Sequence, residues 1–163
     1  MSKLAFIFPG QGAQKAGMGK DFYENSETAR SFFDQAQKIL DFDLQEMCFG
    51  EYTQPCMVSV CLAIVQELKK RGINPDITAG LSLGEYAAVA AAGGMNELDA
   101  IKLVRRRGIL MQNTVPTGEG AMAAVLGLDA KKIEEILESF ENVWIANYNC
   151  PGQIVITGLT NEV

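Results

Sequence analysis

The chain has 163 residues, 48% of them hydrophobic and 21% charged, enough to bury the core of one domain or one and a half and too apolar for a disordered chain. A net charge of −6 at pH 7 gives no basic face of the kind that nucleic acid requires. Histidine is absent, and Cys48, Cys56, Cys61 and Cys150 match no C-x-x-C metal or redox spacing, so they read as buried thiols of a reduced intracellular protein with no bound metal.

Leu4 to Phe8 reads as a buried strand, ended by Pro9-Gly10 and followed by a glycine-spaced loop to Gly19. The apolar run before Pro9 is too short for a signal-peptide core. Ser26 caps a helix to about Leu40, with Phe32, Phe33, Ala36 and Leu40 on its apolar side. Pro55 suits the first turn of a helix that runs to Arg71 and stops at Gly72; its apolar stretch, Cys56 to Val65, is far too short to cross a bilayer. A strand at Asp76 to Ala79, the turn Gly80-Leu-Ser-Leu-Gly84 and a small-residue helix to Ala92 follow. Asn96 opens a long helix to about Asn113, broken at Val115-Pro-Thr-Gly118. This alternation predicts an α/β fold, a parallel sheet covered by helices.

After Gly120 the texture changes to a strand at Ala121 to Leu126, a helix from Asp129 to Phe140, a strand at Val143 to Asn147, the turn Cys150-Pro-Gly152 and a strand at Gln153 to Gly158. Thr160 reads as the cap of a further helix. This order is two thirds of a ferredoxin-like βαββαβ unit, and stopping there it is expected to expose a sheet edge and an apolar face. The expected division is a large lobe over 1–118 and a small lobe over 119–163, both incomplete.

Three stretches carry chemistry. In Gly80-Leu-Ser-Leu-Gly84 a strand-to-helix turn with glycine on both sides lifts the Ser82 hydroxyl over a helix amino end, the form of a nucleophile elbow. A serine in an ordinary glycine-rich turn is the alternative. At 100° per residue, Ala100, Ile101, Leu103, Val104, Gly108, Leu110 and Met111 share one arc of their helix, with Arg107 in its middle. Lys102, Arg105 and Arg106 lie opposite, and Arg105 and Arg106 read as solvated. An arginine centred on an apolar face needs an anionic partner, either a substrate carboxylate or an internal Asp or Glu. Gln11, flanked by Gly10 and Gly12 after the first strand, can bring an amide to a ligand; the loop has neither a phosphate-loop nor a dinucleotide spacing, and a tight surface turn is the alternative.

Phe8-Pro-Gly-Gln-Gly-Ala-Gln14, Gly80-Leu-Ser-Leu-Gly-Glu-Tyr86, Arg107-Gly-Ile-Leu-Met-Gln112, Gly120-Ala-Met-Ala-Ala-Val125 and Asn147-Tyr-Asn-Cys-Pro-Gly-Gln153 resemble, in order and over the whole chain, malonyl-CoA:acyl-carrier-protein transacylases of type II fatty-acid synthesis. The resemblance implies a hydrolase-like core carrying a ferredoxin-like lobe. It also implies a cytoplasmic enzyme that moves a malonyl group from coenzyme A to the phosphopantetheine thiol of acyl carrier protein through a seryl ester. Coenzyme A and the carrier arm act as substrates, and no further cofactor, nucleic acid or membrane is involved. Ser82 then matches the nucleophile, Gln11 and the Leu83 N–H match the oxyanion donors, and Arg107 matches the holder of the malonyl carboxylate. Asn147 and Asn149 match a segment lining the family's cleft, without an assigned role; side chains bonding their own turn is the other reading.

The chain departs from the family at three places. Leu81 stands where a histidine usually precedes the nucleophile, the segment between Phe49 and Tyr52 is shorter than usual, and the family's catalytic histidine belongs to a motif beyond Val163. The chain is therefore expected to be an amino-terminal part, inactive or nearly so alone. A patatin-like lipid hydrolase with a Ser-Asp dyad and a non-catalytic segment that binds carrier protein are the competing readings. The first lacks the Asp-Gly-Gly or Asp-Gly-Ala segment it needs.

Overall fold

The computed structural model describes residues 3–49, 54–116 and 118–163; the short segment between Phe49 and Tyr52 lies outside them. The chain forms two compact units, Met1–Leu110 and Met111–Val163, dividing near the end of a long helix, a few residues before the 118/119 boundary read from sequence.

In the first unit, β1 (Ala5–Phe8) and β2 (Ile77–Gly80) pair in parallel, Ala5 opposite Ile77 and Phe8 opposite Gly80. Leu4 and Asp76 tie their beginnings, the Leu4 N–H donating to the Asp76 carboxylate at 2.8 Å. Between the strands run α1 (Lys20–Asn25), α2 (Glu27–Gln37), α3 (Leu44–Phe49) and α4 (Gln54–Lys70). After β2 come α5 (Gly84–Ala91) and α6 (Glu97–Thr114). Helix α4 is the core element. Cys56 to Val60, Leu62, Ala63 and Val65 are buried around almost its whole circumference, as a helix surrounded by protein on all sides requires. Against it pack Ala29, Phe32, Phe33 and Ala36 of α2 and the alanines of α5. The cap on α2 is as expected: the Ser26 hydroxyl accepts from the Ala29 N–H at 3.0 Å, and it donates to Glu67 of α4 at 2.6 Å.

Three sequence expectations need correction here. Strand β1 is not buried throughout, since Phe8 faces the core while Ile7 is 78% exposed; a two-stranded sheet covers only part of each strand. On α6 the buried stripe is Ala100, Ile101 and Val104, whereas Leu103, Leu110 and Met111 of the expected apolar arc are exposed. Arg105 is not simply solvated: its guanidinium makes a paired contact with Asp41, Nε to Oδ1 at 2.8 Å and Nη2 to Oδ2 at 2.9 Å, and lies over the Phe42 ring. The turn after α2 brings Asp41 and Phe42 to the face of α6 opposite Arg107; Arg106 is exposed as expected.

The second unit contains β3 (Gly120–Leu126), α7 (Ala130–Leu137), β4 (Val143–Cys150) and β5 (Gln153–Leu159), in the sheet order β3-β5-β4. Both outer strands run antiparallel to β5, so β3 and β4 are parallel to each other and α7 crosses between them, a split βαβ arrangement. Asp129 caps α7 by accepting from the Lys131 N–H at 2.9 Å, and Ile133, Val143 and Ile154 form the buried centre. Thr160 does not cap a helix within the described residues. It opens a turn, and its hydroxyl donates to the Gly118 carbonyl at 2.8 Å.

All four cysteines are free, but they are not all buried. Cys48 and Cys56 are, and the hydrogen bond between them, reinforced by burial, holds the Cys48 thiol above its usual range. Cys61 is half-buried, its thiol pushed up to about 11 by burial. Cys150 is exposed because it ends β4 at the hairpin turn.

Candidate active site

The turn from β2 into α5 is as tight as its sequence predicts. Ser82 has φ 50°, the one positive φ outside glycine among the described residues, a conformation that a residue with a Cβ adopts at a cost. The flanking glycines explain how the turn closes. A Cβ on Gly80 would strike the backbone of Gly84 and Glu85, and one on Gly84 would strike the Phe8 and Pro9 carbonyls. Both positions are therefore sites of backbone contact, and the second seats the turn against the carboxyl end of β1. The Leu81 N–H donates to the Phe8 carbonyl at 3.1 Å, holding the same junction.

The first residues of α5 complete the geometry. The N–H groups of Gly84, Glu85 and Tyr86 turn back to the carbonyls of Leu81, Ser82 and Leu83 at 2.9 to 3.3 Å. The Leu83 N–H, at the helix cap, precedes any such acceptor, so it and the helix dipole are available to an anion beside Ser82. The Leu83 side chain is 1% exposed and anchors the turn in the core, while Ser82 itself is open to solvent. The Leu81 side chain is 61% exposed, so the residue in place of the expected histidine packs no part of the core.

Arg107 reaches this turn from the third turn of α6. Its Nη2 donates to Ser82 Oγ at 3.1 Å and its Nη1 to Gln54 Oε1 at 2.6 Å, while its guanidinium lies 5.8 Å from the centre of the Tyr86 ring. Among the described residues no carboxylate comes within ion-pair distance of it. The internal Asp or Glu partner weighed from the sequence is not found among the described residues; a half-buried cation is held by neutral oxygens and a ring face next to a serine. That arrangement suits an incoming carboxylate, which offers the fork two oxygens at once.

Gln11 joins the same group. Its loop lies against Leu81, since a Cβ on Gly10 would stand 3.0 Å from the Leu81 carbonyl oxygen, and Gln11 Oε1 accepts from Gln54 Nε2 at 3.3 Å. The structure thus brings Gln11, Ser82, Leu83 and Arg107 together. It adds two residues that sequence reading missed: Gln54, the first residue of α4, and Tyr86, one turn beyond Ser82 on α5. The i,i+4 spacing from Ser82 to Tyr86 was a usable signal. Gln54 carried none, because only the packing of α4 beside α6 brings it to Arg107. In the second unit, Asn149 bonds across its own hairpin, Nδ2 to Gln153 Oε1 at 3.2 Å, and Asn147 lies in β4 opposite Val155.

The model of the acyl transferase domain family matches residues 5–163. A malonyl CoA-acyl carrier protein transacylase of Bacillus subtilis (strain 168) is 44% identical over 176 aligned positions, covering 100% of this chain and 56% of that protein. The crystal structure of a malonyl CoA-acyl carrier protein transacylase from Clostridium perfringens superimposes with a TM-score of 0.89 at 42% identity, over 98% of this chain and 54% of that one. A malonyl-transacylase solved in complex with a type II PKS acyl-carrier protein gives a TM-score of 0.88 at 35% identity, over 98% of this chain and 56% of the other. The chain thus spans about half the length of the relatives it matches.

Proposed function

Because this chain belongs to the acyl transferase domain family, we propose that it supplies the nucleophile, the oxyanion donors and the carboxylate clamp of a malonyl-CoA:acyl-carrier-protein transacylase. The observation that carries the reading is the Arg107 guanidinium 3.1 Å from the hydroxyl of a serine held at positive φ on a helix amino end. A charged fork beside a nucleophile selects an acyl group that ends in a carboxylate.

In the proposed reaction Ser82 Oγ attacks the thioester carbonyl of malonyl-CoA, and the Leu83 N–H and Gln11 hold the oxyanion that forms. The carbon–sulfur bond breaks, coenzyme A leaves as the thiol, and a malonyl ester remains on Ser82. The malonyl carboxylate takes the place of Ser82 Oγ on the Arg107 fork, which keeps the acyl group fixed while the phosphopantetheine thiol of the carrier protein attacks the ester. A serine hydroxyl needs a base to take its proton. No histidine occurs in the 163 residues, so the reading assigns that base to a group outside them. No metal or bound cofactor has a part. The hydrolase-like core over 1–118, the ferredoxin-like lobe over 119–163 and a cytoplasmic location belong to the same proposal. The split βαβ order of the second unit supports the lobe, and among the described residues no helix is long and apolar enough to cross a membrane.

The names of the relatives favour transfer over a patatin-like hydrolase. The test is mass spectrometry of the complete natural protein after mixing with malonyl-CoA. A malonyl adduct is expected on wild type and absent from a folded Ser82→Ala variant; an adduct persisting on the variant moves the nucleophile elsewhere.

A further inference from the structure

The contacts that hold the Arg107 guanidinium differ in what becomes of them when Ser82 is acylated. Nη2 donates to Ser82 Oγ at 3.1 Å, Nη1 donates to Gln54 Oε1 at 2.6 Å, and the guanidinium carbon lies over the Tyr86 ring, 5.8 Å from its centre. The contact to Ser82 is given up in the proposed reaction, because Oγ becomes an ester oxygen and the malonyl carboxylate takes its place on the fork. The ring contact uses none of the N–H donors, so it is the same before and after that exchange. The ring also holds a cation without bringing a formal charge. A carboxylate in its place would anchor Arg107 as firmly but would compete with malonyl for the same N–H groups. The negative face of an aromatic ring attracts the guanidinium plane and leaves its edge to an incoming carboxylate.

We propose that Tyr86 is a positioning residue for malonyl: its ring face fixes the plane of the Arg107 guanidinium, so that the edge carrying the N–H donors stays directed at the acyl group on Ser82. The inference rests on the transacylase reading above and deepens it, by naming what keeps the carboxylate clamp in register with the nucleophile. Helix α5 supplies that register. Tyr86 stands one turn after Ser82, so the two side chains rise on the same face of the helix start. Its N–H donates to the Leu83 carbonyl at 3.3 Å, and its ring is half-buried against the core of the first unit. The nucleophile and the ring therefore belong to one fixed turn, to which Arg107 is brought by α6.

The test compares malonylation with acetylation of Ser82, from malonyl-CoA and acetyl-CoA, by rapid-quench mass spectrometry on one preparation of the complete protein. The ratio of the two does not depend on the fraction of that preparation that is folded. Tyr86→Leu is expected to lower the malonyl-to-acetyl ratio of kcat/KM about 3- to 10-fold, as loss of a partly desolvated cation–π contact does, with the loss chiefly in KM for malonyl-CoA. Tyr86→Phe should keep the wild-type ratio, since it keeps the ring. Adding Tyr86→Leu to Arg107→Ala should leave the ratio where Arg107→Ala alone puts it, because the ring then has no cation to hold. A second series replaces Tyr86 by phenylalanine carrying successively more ring fluorines, which drain the negative ring face at nearly constant shape; the ratio is expected to fall with each one. An unchanged ratio in Tyr86→Leu, whether both rates fall or neither does, would overturn the proposal. So would a fall in Tyr86→Phe as large as that in Tyr86→Leu, a further fall on adding Tyr86→Leu to Arg107→Ala, or a ratio indifferent to fluorination. A malonyl adduct that persists in Ser82→Ala overturns the transacylase reading instead, so the two failures are distinguishable.

Discussion

In the proposed function, specificity for malonyl rests on one side chain, Arg107. Its Nη1 and Nη2 rest on neutral oxygens of Gln54 and Ser82 and its plane on the Tyr86 ring, so the guanidinium is desolvated in part and held in place by its neighbours. Ordering it on binding then costs little. Arg107→Ala in the complete protein is expected to reduce malonyl transfer by about 1.5–3 kcal/mol, the worth of hydrogen bonds to a charged group, roughly 10- to 100-fold. Acetyl transfer should be far less affected, since acetyl offers no carboxylate. Comparison of kcat/KM for the two donors checks this, and an equal loss for both would make Arg107 a structural residue. Lysine at this position is not a substitute, because an ammonium cannot present two parallel donors.

At the scale of elements, the junction of β1, β2 and α5 leaves no room for a side chain at Gly84. Gly84→Ala forces its methyl onto the Phe8 and Pro9 carbonyls, which can yield only by moving β1 or α5; a cost of about 1–3 kcal/mol is expected, together with loss of acylation at Ser82. Chemical denaturation and the malonyl-adduct assay read the two effects separately. Between α2 and α4, Glu67 receives the Ser26 hydroxyl and pairs with Arg71 at 2.7 Å. The Ser26 hydrogen bond first, and Arg71 after it, hold its carboxyl below the usual range. The folded chain then binds fewer protons at this group than the unfolded chain does. Its contribution is present above the unfolded pKa, near 4.3, and is lost as the pH falls through the lower folded value. The urea midpoint of Glu67→Gln should therefore lie below wild type at pH 6 and converge on it as the pH falls below about 4. A gap that stays constant with pH would show that charge is not its cause.

For the molecule as a whole, apolar burial is unevenly shared. The continuous core lies in the first unit, from Phe8 through α2, α4, α5 and α6 to Val104. In the second unit the buried hydrophobics among the described residues are Ile133, Val143 and Ile154, while Met122, Leu126, Trp144 and Tyr148 are more than half exposed. Since opening free energy follows buried apolar contact, hydrogen exchange of the 163-residue chain is expected to show α4 amides opening with a higher free energy than those of β3, β4 and β5. Equal protection in the two units would mean that they unfold as one.

Much of this is legible in the sequence because it is local. Ser26 and Asp129 as caps, Pro55 at a helix start, Gly72 after a helix end and the glycines around Ser82 act within a few residues, where backbone sterics and unpaired N–H groups leave few alternatives. For the same reason Gly80-Leu-Ser-Leu-Gly84, set between a strand and a helix, marks Ser82 as a candidate nucleophile, whereas Leu83 as an oxyanion donor follows only from the family resemblance. Two short helices escape such a reading: α1 has little apolar periodicity, and α3 offers only its cap, where Asp43 accepts from the Glu46 N–H at 2.9 Å in the spacing of a capping box. The helical wheel centres Arg107 on an apolar face but cannot name its neighbours. It also leaves Arg105 solvated, because Asp41 is 64 residues away in the chain. The sequence by itself determined the order of the strands and the longer helices, the sharp turn at Ser82 and the need of Arg107 for partners, which it read as anionic. Only the tertiary structure decided that those partners are Ser82 and Gln54, and that Gln54 reaches Gln11. Such contacts join positions 25, 53 and 43 residues apart, and their geometry comes from helices packing on one another, which no local pattern encodes.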